Sequence, residues 1–249
     1  MRTVILGIGI SAVTMDTAVE TIMRWIAMGE RQIVTVAAVH SVVDAQRVPA
    51  AKRIMQTSGM CVPDGVPLVW LSRLAGRNKV ERVFGPDLML RVTYLLAQTS
   101  GHAFYYGGKQ GIAEELAERM QAEYPGVGTA GCYSPPFRDL TEAEKQEIEN
   151  LINNSGAGIV WVGLSSPKQE KWMEEFRPRL NAPVLIGVGA AFDYNTGRIH
   201  RAPHWVQNSG LEWLFRLIQE PQRLWRRYLV NNSLFILYWI LEKLRLKKF

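Results

Sequence analysis

The 249-residue chain reads as an α/β fold: a Rossmann-like, mainly parallel sheet with helices on both faces, plus a helical C-terminal appendage. Short β-branched runs alternate repeatedly with amphipathic segments, which is the order of parallel-sheet units. The alternation ends after Asp193, and no strand-like run follows. A hydrophobic content of 47% over this length buries a sizeable core without disulfide staples.

The first unit pairs a strand over residues 3–9 with a helix over 16–28. It is followed by 32–38 with 40–56, 102–106 with 111–124, 158–163 with 168–177, and a last strand over 183–188. A short apolar run over 60–62 precedes a helix beginning near Val66, and Gly85-Pro86-Asp87 opens another. Helix starts are marked by Asp16, by Thr141 with Glu144, and by Ser166 with Pro167 at the first helical position and Gln169. In such a sheet ligands gather outside the carboxyl ends of the strands. A boundary near residue 195 separates an α/β domain, 1–195, from an appendage, 196–249. Within the appendage Glu220-Pro221 divides helices over 211–219 and 222–248.

Two distant cysteines, Cys61 and Cys132, suit a reducing cytoplasm, and residues 1–11 read as a first strand instead of a signal segment. The net charge of +6 is unevenly spread. Residues 198–249 hold ten Lys/Arg against three Glu, a net +7 that leaves −1 for the rest. A neutral body with a basic tail is drawn to an anionic surface, either nucleic acid or lipid headgroups. The apolar run 233–241 is much shorter than the ~20 residues of a spanning helix. Flanked by Arg223, Arg226 and Arg227 and by Lys243, Arg245, Lys247 and Lys248, it can lie in a membrane interface with Tyr238 and Trp239 at headgroup depth, separable from the body. The alternative is a helix docked on the main domain or in a homo-oligomer interface.

Asp64, in Pro63-Asp64-Gly65, falls in a strand-end loop. A carboxylate there can take the proton of an attacking sugar hydroxyl, although Pro-Asp-Gly is also an ordinary turn. Gly107 and Gly108 follow a strand and precede a helix, a geometry that offers bare amides to a phosphate or serves the backbone alone. Gln169 can reach a substrate from its loop or close a capping box with Ser166. The six aspartates form no Asp-x-Asp pair, and the four histidines show no ligand spacing. No metal cofactor is therefore expected, and departing diphosphate would need arginine. Arg82 is a candidate for that role, or a surface partner of Glu81 or Asp87.

Together these segments resemble the WecG/TagA/CpsF family of bacterial glycosyltransferases (glycosyltransferase family 26) over nearly the whole chain. The resemblance rests on blocks at 63–67, 82–89, 106–111, 163–170 and 187–193, and on Arg201-Ala202-Pro203, Glu212-Trp213-Leu214-Phe215-Arg216 and Glu220-Pro221-Gln222-Arg223. It implies an inverting, metal-independent transferase at the cytoplasmic face of the membrane. The donor would be a UDP-sugar, often of the N-acetylmannosamine type, and the acceptor a polyprenyl-diphosphate-linked sugar. Asp64 would be the base. Arg82 and Gln169, with Gly107 and Gly108, would serve the donor and its diphosphate, and Gly187, Gly189, Phe192 and Asp193 would border the nucleotide. Arg216, Arg223 and Arg226 would hold the lipid diphosphate, with Arg223 and Arg226 on one helical face. Where the family has Thr-x-Asn after the second strand, this chain reads Thr35-Val36-Ala37-Ala38-Val39-His40, with Thr35 one residue out of register and no Asn, so Thr35, His40 or Ser41 would substitute for the missing contact. Two other classes compete: a nucleic-acid-binding α/β protein, and a catalytically idle membrane-associated scaffold. The tail's charges flank an apolar run instead of interleaving with polar residues, which argues against nucleic acid.

Overall fold

A computed structural model describes the backbone throughout Met1–Phe249 and the side chains of all residues except His204 and Asn208. The chain opens on an antiparallel hairpin, β1 (Arg2–Ile5) and β2 (Ile8–Ser11). This replaces the single strand expected over 3–9. Leu6 and Gly7 both take positive φ, 49° and 72°, the backbone of a two-residue hairpin turn.

Six strands then form a wholly parallel sheet: β3 (Gln32–Ala37), β4 (Met60–Pro63), β5 (His102–Gly107), β6 (Gly128–Tyr133), β7 (Ile159–Gly163) and β8 (Val184–Gly187). Their spatial order is β4-β3-β8-β7-β5-β6. Edge strand β6, Gly-Thr-Ala-Gly-Cys-Tyr, has no β-branched run to announce it and is only partly buried. Side chains alternate between the faces. Phe104, Tyr106, Val160 and Val162 enter one core, while Tyr105, Trp161, Val184 and Ile186 enter the other. A strand covered on both sides therefore reads as continuously apolar.

Helix α1 (Met15–Met28) is capped by Thr14, whose side chain accepts from Thr17 N–H, so Asp16 lies in the first turn. The helix expected over 40–56 is two, α2 (Val39–Ala45) and α3 (Pro49–Thr57), because Pro49 lacks an N–H and holds Val48 extended. Next come α4 (Val66–Leu74), α5 (Gly85–Gln98), α6 (Ile112–Glu123) and α7 (Glu142–Asn153). The last has the expected Thr141/Glu144 capping box. Helix α8 (Lys168–Phe176) begins after a cis Ser166-Pro167 bond, with Pro167 at the cap, so Ser166 caps nothing there.

The C-terminal region comprises α9 (Ala191–Asn195), α10 (His204–Ser209), α11 (Glu212–Gln219), α12 (Pro221–Trp225), a π-helical turn over Arg226–Val230 and α13 (Asn231–Lys243). Its last helix packs on the body. Phe235 is buried in the same core as Phe104 and Tyr106, with Leu234, Tyr238 and Phe249 packed against that core. Leu6 N–H donates to Glu242 at 3.4 Å, and Asn231 donates to Asp44 at 3.3 Å. Among the described residues no helix is long and apolar enough to cross a membrane. Exposed apolar side chains concentrate on the outside of this region, among them Trp205, Ile218, Trp225, Leu237 and Leu246.

Candidate active site

The carboxyl ends of β3 and β4 open into a cavity of about 540 Å³, roofed by the C-terminal helices. Its walls are largely apolar: Trp70, Leu71 and Leu74 from α4, and Trp213, Phe235 and Trp239 from α11 and α13. One polar cluster breaks that lining. Asp64 follows β4 directly, and its loop is pinned where Asp64 N–H donates to Ala37 O at 2.8 Å and Val83 N–H to Pro63 O at 2.8 Å. Arg82 clasps the loop, donating from Nε to Asp64 O at 2.7 Å and from Nη2 to Asp64 Oδ1 at 3.2 Å. Its Nη1 meets Glu212 Oε2 of α11 at 2.5 Å. Arg82 therefore pairs with neither Glu81 nor Asp87; the latter binds Arg201.

The Asp64 side chain is 23% exposed and that of Arg82 21%. Burial is the main cause that pushes the Asp64 carboxyl up to about 6, with Glu212 contributing to the rise and Arg82 and Arg216 opposing it. A carboxylate poised there is ionised at neutral pH yet basic enough to take a hydroxyl proton.

Arg216, from α11, lines the same cavity beside the Tyr194 ring. Its Nε is buried without a hydrogen-bond partner among the described residues, a free donor of the kind a diphosphate oxygen would satisfy. The other two expected acceptor arginines go elsewhere. Arg223 pairs with Glu220 at 2.5 Å and, with Arg198, opposes the rise that burial gives the Asp193 carboxyl. Arg226 stacks on Trp225 and lines a separate groove with Ser166 and Arg227. The two lie three apart at the end of α12, with the π-helical turn beginning at Arg226.

Behind this cluster, the loops after β5, β7 and β8 converge. Gln169 Oε1 accepts from Gly189 N–H at 2.9 Å, which ties α8 to the turn after β8 instead of closing a box with Ser166. Gly187 lies against the Gln169 and Met173 side chains. Phe192 is buried and packs edge-on against Tyr105, with ring centroids 6.3 Å apart, so it is a core residue. At the Gly107-Gly108 pair, Gly108 N–H donates to Gly163 O at 3.1 Å. A Cβ at Gly107, where φ is +128°, would stand 2.7 Å from Gly163 backbone atoms. Gly107→Ala should therefore lose at least ~2 kcal/mol in urea unfolding, as overpacking and a left-handed φ combine.

Of the three stand-ins for the missing Asn, His40 alone reaches the cavity. It contacts Arg227, and its pKa lies well below the usual value, first through burial and then through Arg227 and Arg216. Ser41 is committed to the start of α2, accepting from Ala38 N–H at 2.8 Å. Thr35 is buried two residues before the strand end, its hydroxyl unpartnered among the described residues. Sequence reading assigned no role to Glu212. An acidic residue opening a helix signals only a favourable dipole contact, and its pairing with Arg82 spans 130 positions, from 82 to 212.

Among the described residues no group of three or more His, Cys, Asp or Glu gathers as metal ligands. The family model described as "Glycosyl transferase WecG/TagA/CpsF family" matches residues 3–249. The chain is similar to a Bacillus spizizenii protein named N-acetylglucosaminyldiphosphoundecaprenol N-acetyl-beta-D-mannosaminyltransferase. They are 30% identical over 186 residues, 75% of this chain and 70% of that one. A Bacillus subtilis protein of the same name is 31% identical over 176 residues, 71% of this chain and 66% of its own length.

Proposed function

The chain belongs to the WecG/TagA/CpsF family of glycosyltransferases, and from that membership we propose that it moves a sugar of the N-acetylmannosamine type from UDP to a polyprenyl-diphosphate-linked N-acetylglucosamine during cell-envelope polysaccharide assembly. The observation that carries this reading is the convergence of one poised carboxylate, Asp64, with Arg82 and Arg216 in a cavity whose other walls are apolar. An acceptor with a charged diphosphate between a sugar and a prenyl chain has that same distribution of polarity.

Asp64 takes the proton of the acceptor hydroxyl as the oxygen forms its bond to the anomeric carbon. The bond from that carbon to the UDP oxygen breaks, and UDP leaves with the electron pair. One displacement by a hydroxyl opposite the leaving group inverts the anomeric centre. Arginine stabilises charge on departing diphosphate without a metal. The exposed apolar face and basic terminus of the C-terminal region would rest on the inner, anionic leaflet of the membrane as a peripheral contact.

The test is incubation with a panel of UDP-sugars and a synthetic prenyl-diphosphate N-acetylglucosamine, with products read by mass, in magnesium and in chelator. An N-acetylhexosamine added to the lipid under both conditions is the expected result. Loss in chelator that magnesium restores would overturn metal independence, and UDP binding without turnover would favour the idle scaffold.

A further inference from the structure

Glu212 has no part in the proton transfer just described, yet it sits in the same cavity on a different part of the chain. Its side chain is 11% exposed and meets Arg82 Nη1 at 2.5 Å, and the Tyr194 hydroxyl donates to its other oxygen at 3.4 Å. Arg82 is thus shared between two carboxylates, Asp64 at the end of β4 and Glu212 at the start of α11. The guanidinium also lies over the Phe84 ring, 4.4 Å from its centroid.

We infer that Glu212 is a positioning residue for the transfer reaction: by pairing with Arg82 it shares the cation that would otherwise serve Asp64 alone. This rests on Asp64 being the base, as proposed above. The physical reason is competition for one cation. With Glu212 in place, Arg82 divides its charge between two anions, and Glu212 adds a negative charge near Asp64; both effects favour protonation of Asp64. Without it, Arg82 would neutralise Asp64 alone and leave a weaker base. The other charged or titratable groups around Asp64 are Arg216 of α11, Tyr194 of α9, Tyr228 of the π-helical turn and His40 of α2. None of these is an anion at neutral pH, so Glu212 supplies the opposing charge. Burial and Glu212 are the causes that raise the Asp64 carboxyl.

The full-length protein labelled with carboxyl carbon-13 aspartate provides a readout independent of turnover. Six aspartates are present, and the resonance missing from Asp64→Asn identifies Asp64. In Glu212→Gln the Asp64 titration midpoint should fall by about one pH unit, and the acid limb of kcat/KM should fall with it. Glu212→Asp, which keeps the charge, should hold the midpoint near that of the parent. Should the Gln variant not fold, Glu212→Ala carries the same test. A midpoint unchanged or raised on neutralisation, or an Asp variant shifted as far as Gln, would overturn the inference. Transfer by Asp64→Asn at the parent rate would instead overturn the base assignment, whatever Glu212 does.

Discussion

Asp64→Asn should reduce transfer to the lipid acceptor by about two orders of magnitude, the usual loss when a general base is removed, while leaving UDP affinity within a few-fold of the parent. The substitution is nearly isosteric, keeps the backbone oxygen that Arg82 Nε binds, and leaves Arg82 its contact with Glu212. The pH dependence carries the same signature. A base whose carboxyl titrates at about 6 is active above that value, so kcat/KM of the parent should fall as pH drops through 6. Stability moves in the opposite sense. An aspartate whose folded pKa lies above its unfolded value binds more protons in the folded state, so its ionisation costs stability as pH rises from about 4 to 6. The Asn variant should therefore melt at pH 7 no lower than the parent. Thermal scans and initial rates from pH 5 to 8 check both; a variant with most of its activity would remove Asp64 from the mechanism.

Deleting residues 234–249 should destabilise the whole protein, contrary to a tail that merely rests on lipid. The deletion removes Phe235 from a core shared with the sheet and uncovers α2 and the hairpin turn. Losing a buried Phe alone costs about 3–5 kcal/mol, and for a chain of this size a loss near the lower figure lowers the melting point by roughly 10 °C. Membrane contact is better tested by changes that leave that core intact. Arg245→Glu with Lys248→Glu, both exposed, should weaken sedimentation with anionic liposomes by at least about 1 kcal/mol per reversed charge. The effect should shrink as salt rises, with no change in melting temperature. A deletion variant that melts like the parent would restore the separable tail.

The parallel sheet was legible because each central strand is apolar on both faces, as in Ile159–Gly163, and is followed by a helix of clear period. Strand β6 was not legible, since its glycines and small residues carry no β-branched signal. The break at Pro49 was present in the sequence but was outweighed by the helical period on both sides. Asp64 could be placed at a strand end from local order alone. Its partners could not: Arg82 lies 18 positions away and Glu212 148 positions away, and their meeting depends on α11 folding back over the sheet. At Gly107 the neighbouring strand already demands a glycine, and a glycine demanded by a strand looks the same in sequence as one demanded by a phosphate. Arg223 and Arg226 are three apart in sequence, but Arg223 is drawn to Glu220 and Arg226 to the Trp225 ring, partners that their spacing alone does not reveal.

The most direct test of where the acceptor enters is photolabelling with a short prenyl diphosphate that carries a diazirine on its first isoprene unit. Label should fall on peptides spanning α4 and α13, at Trp70, Leu74, Phe235 or Trp239, whose side chains wall the cavity beside Asp64. Excess unlabelled prenyl diphosphate should compete it away, and Arg216→Ala should diminish it. Label confined to the outer apolar face, at Ile218 or Leu246, and indifferent to the competitor would contradict an acceptor held in the cavity against Asp64.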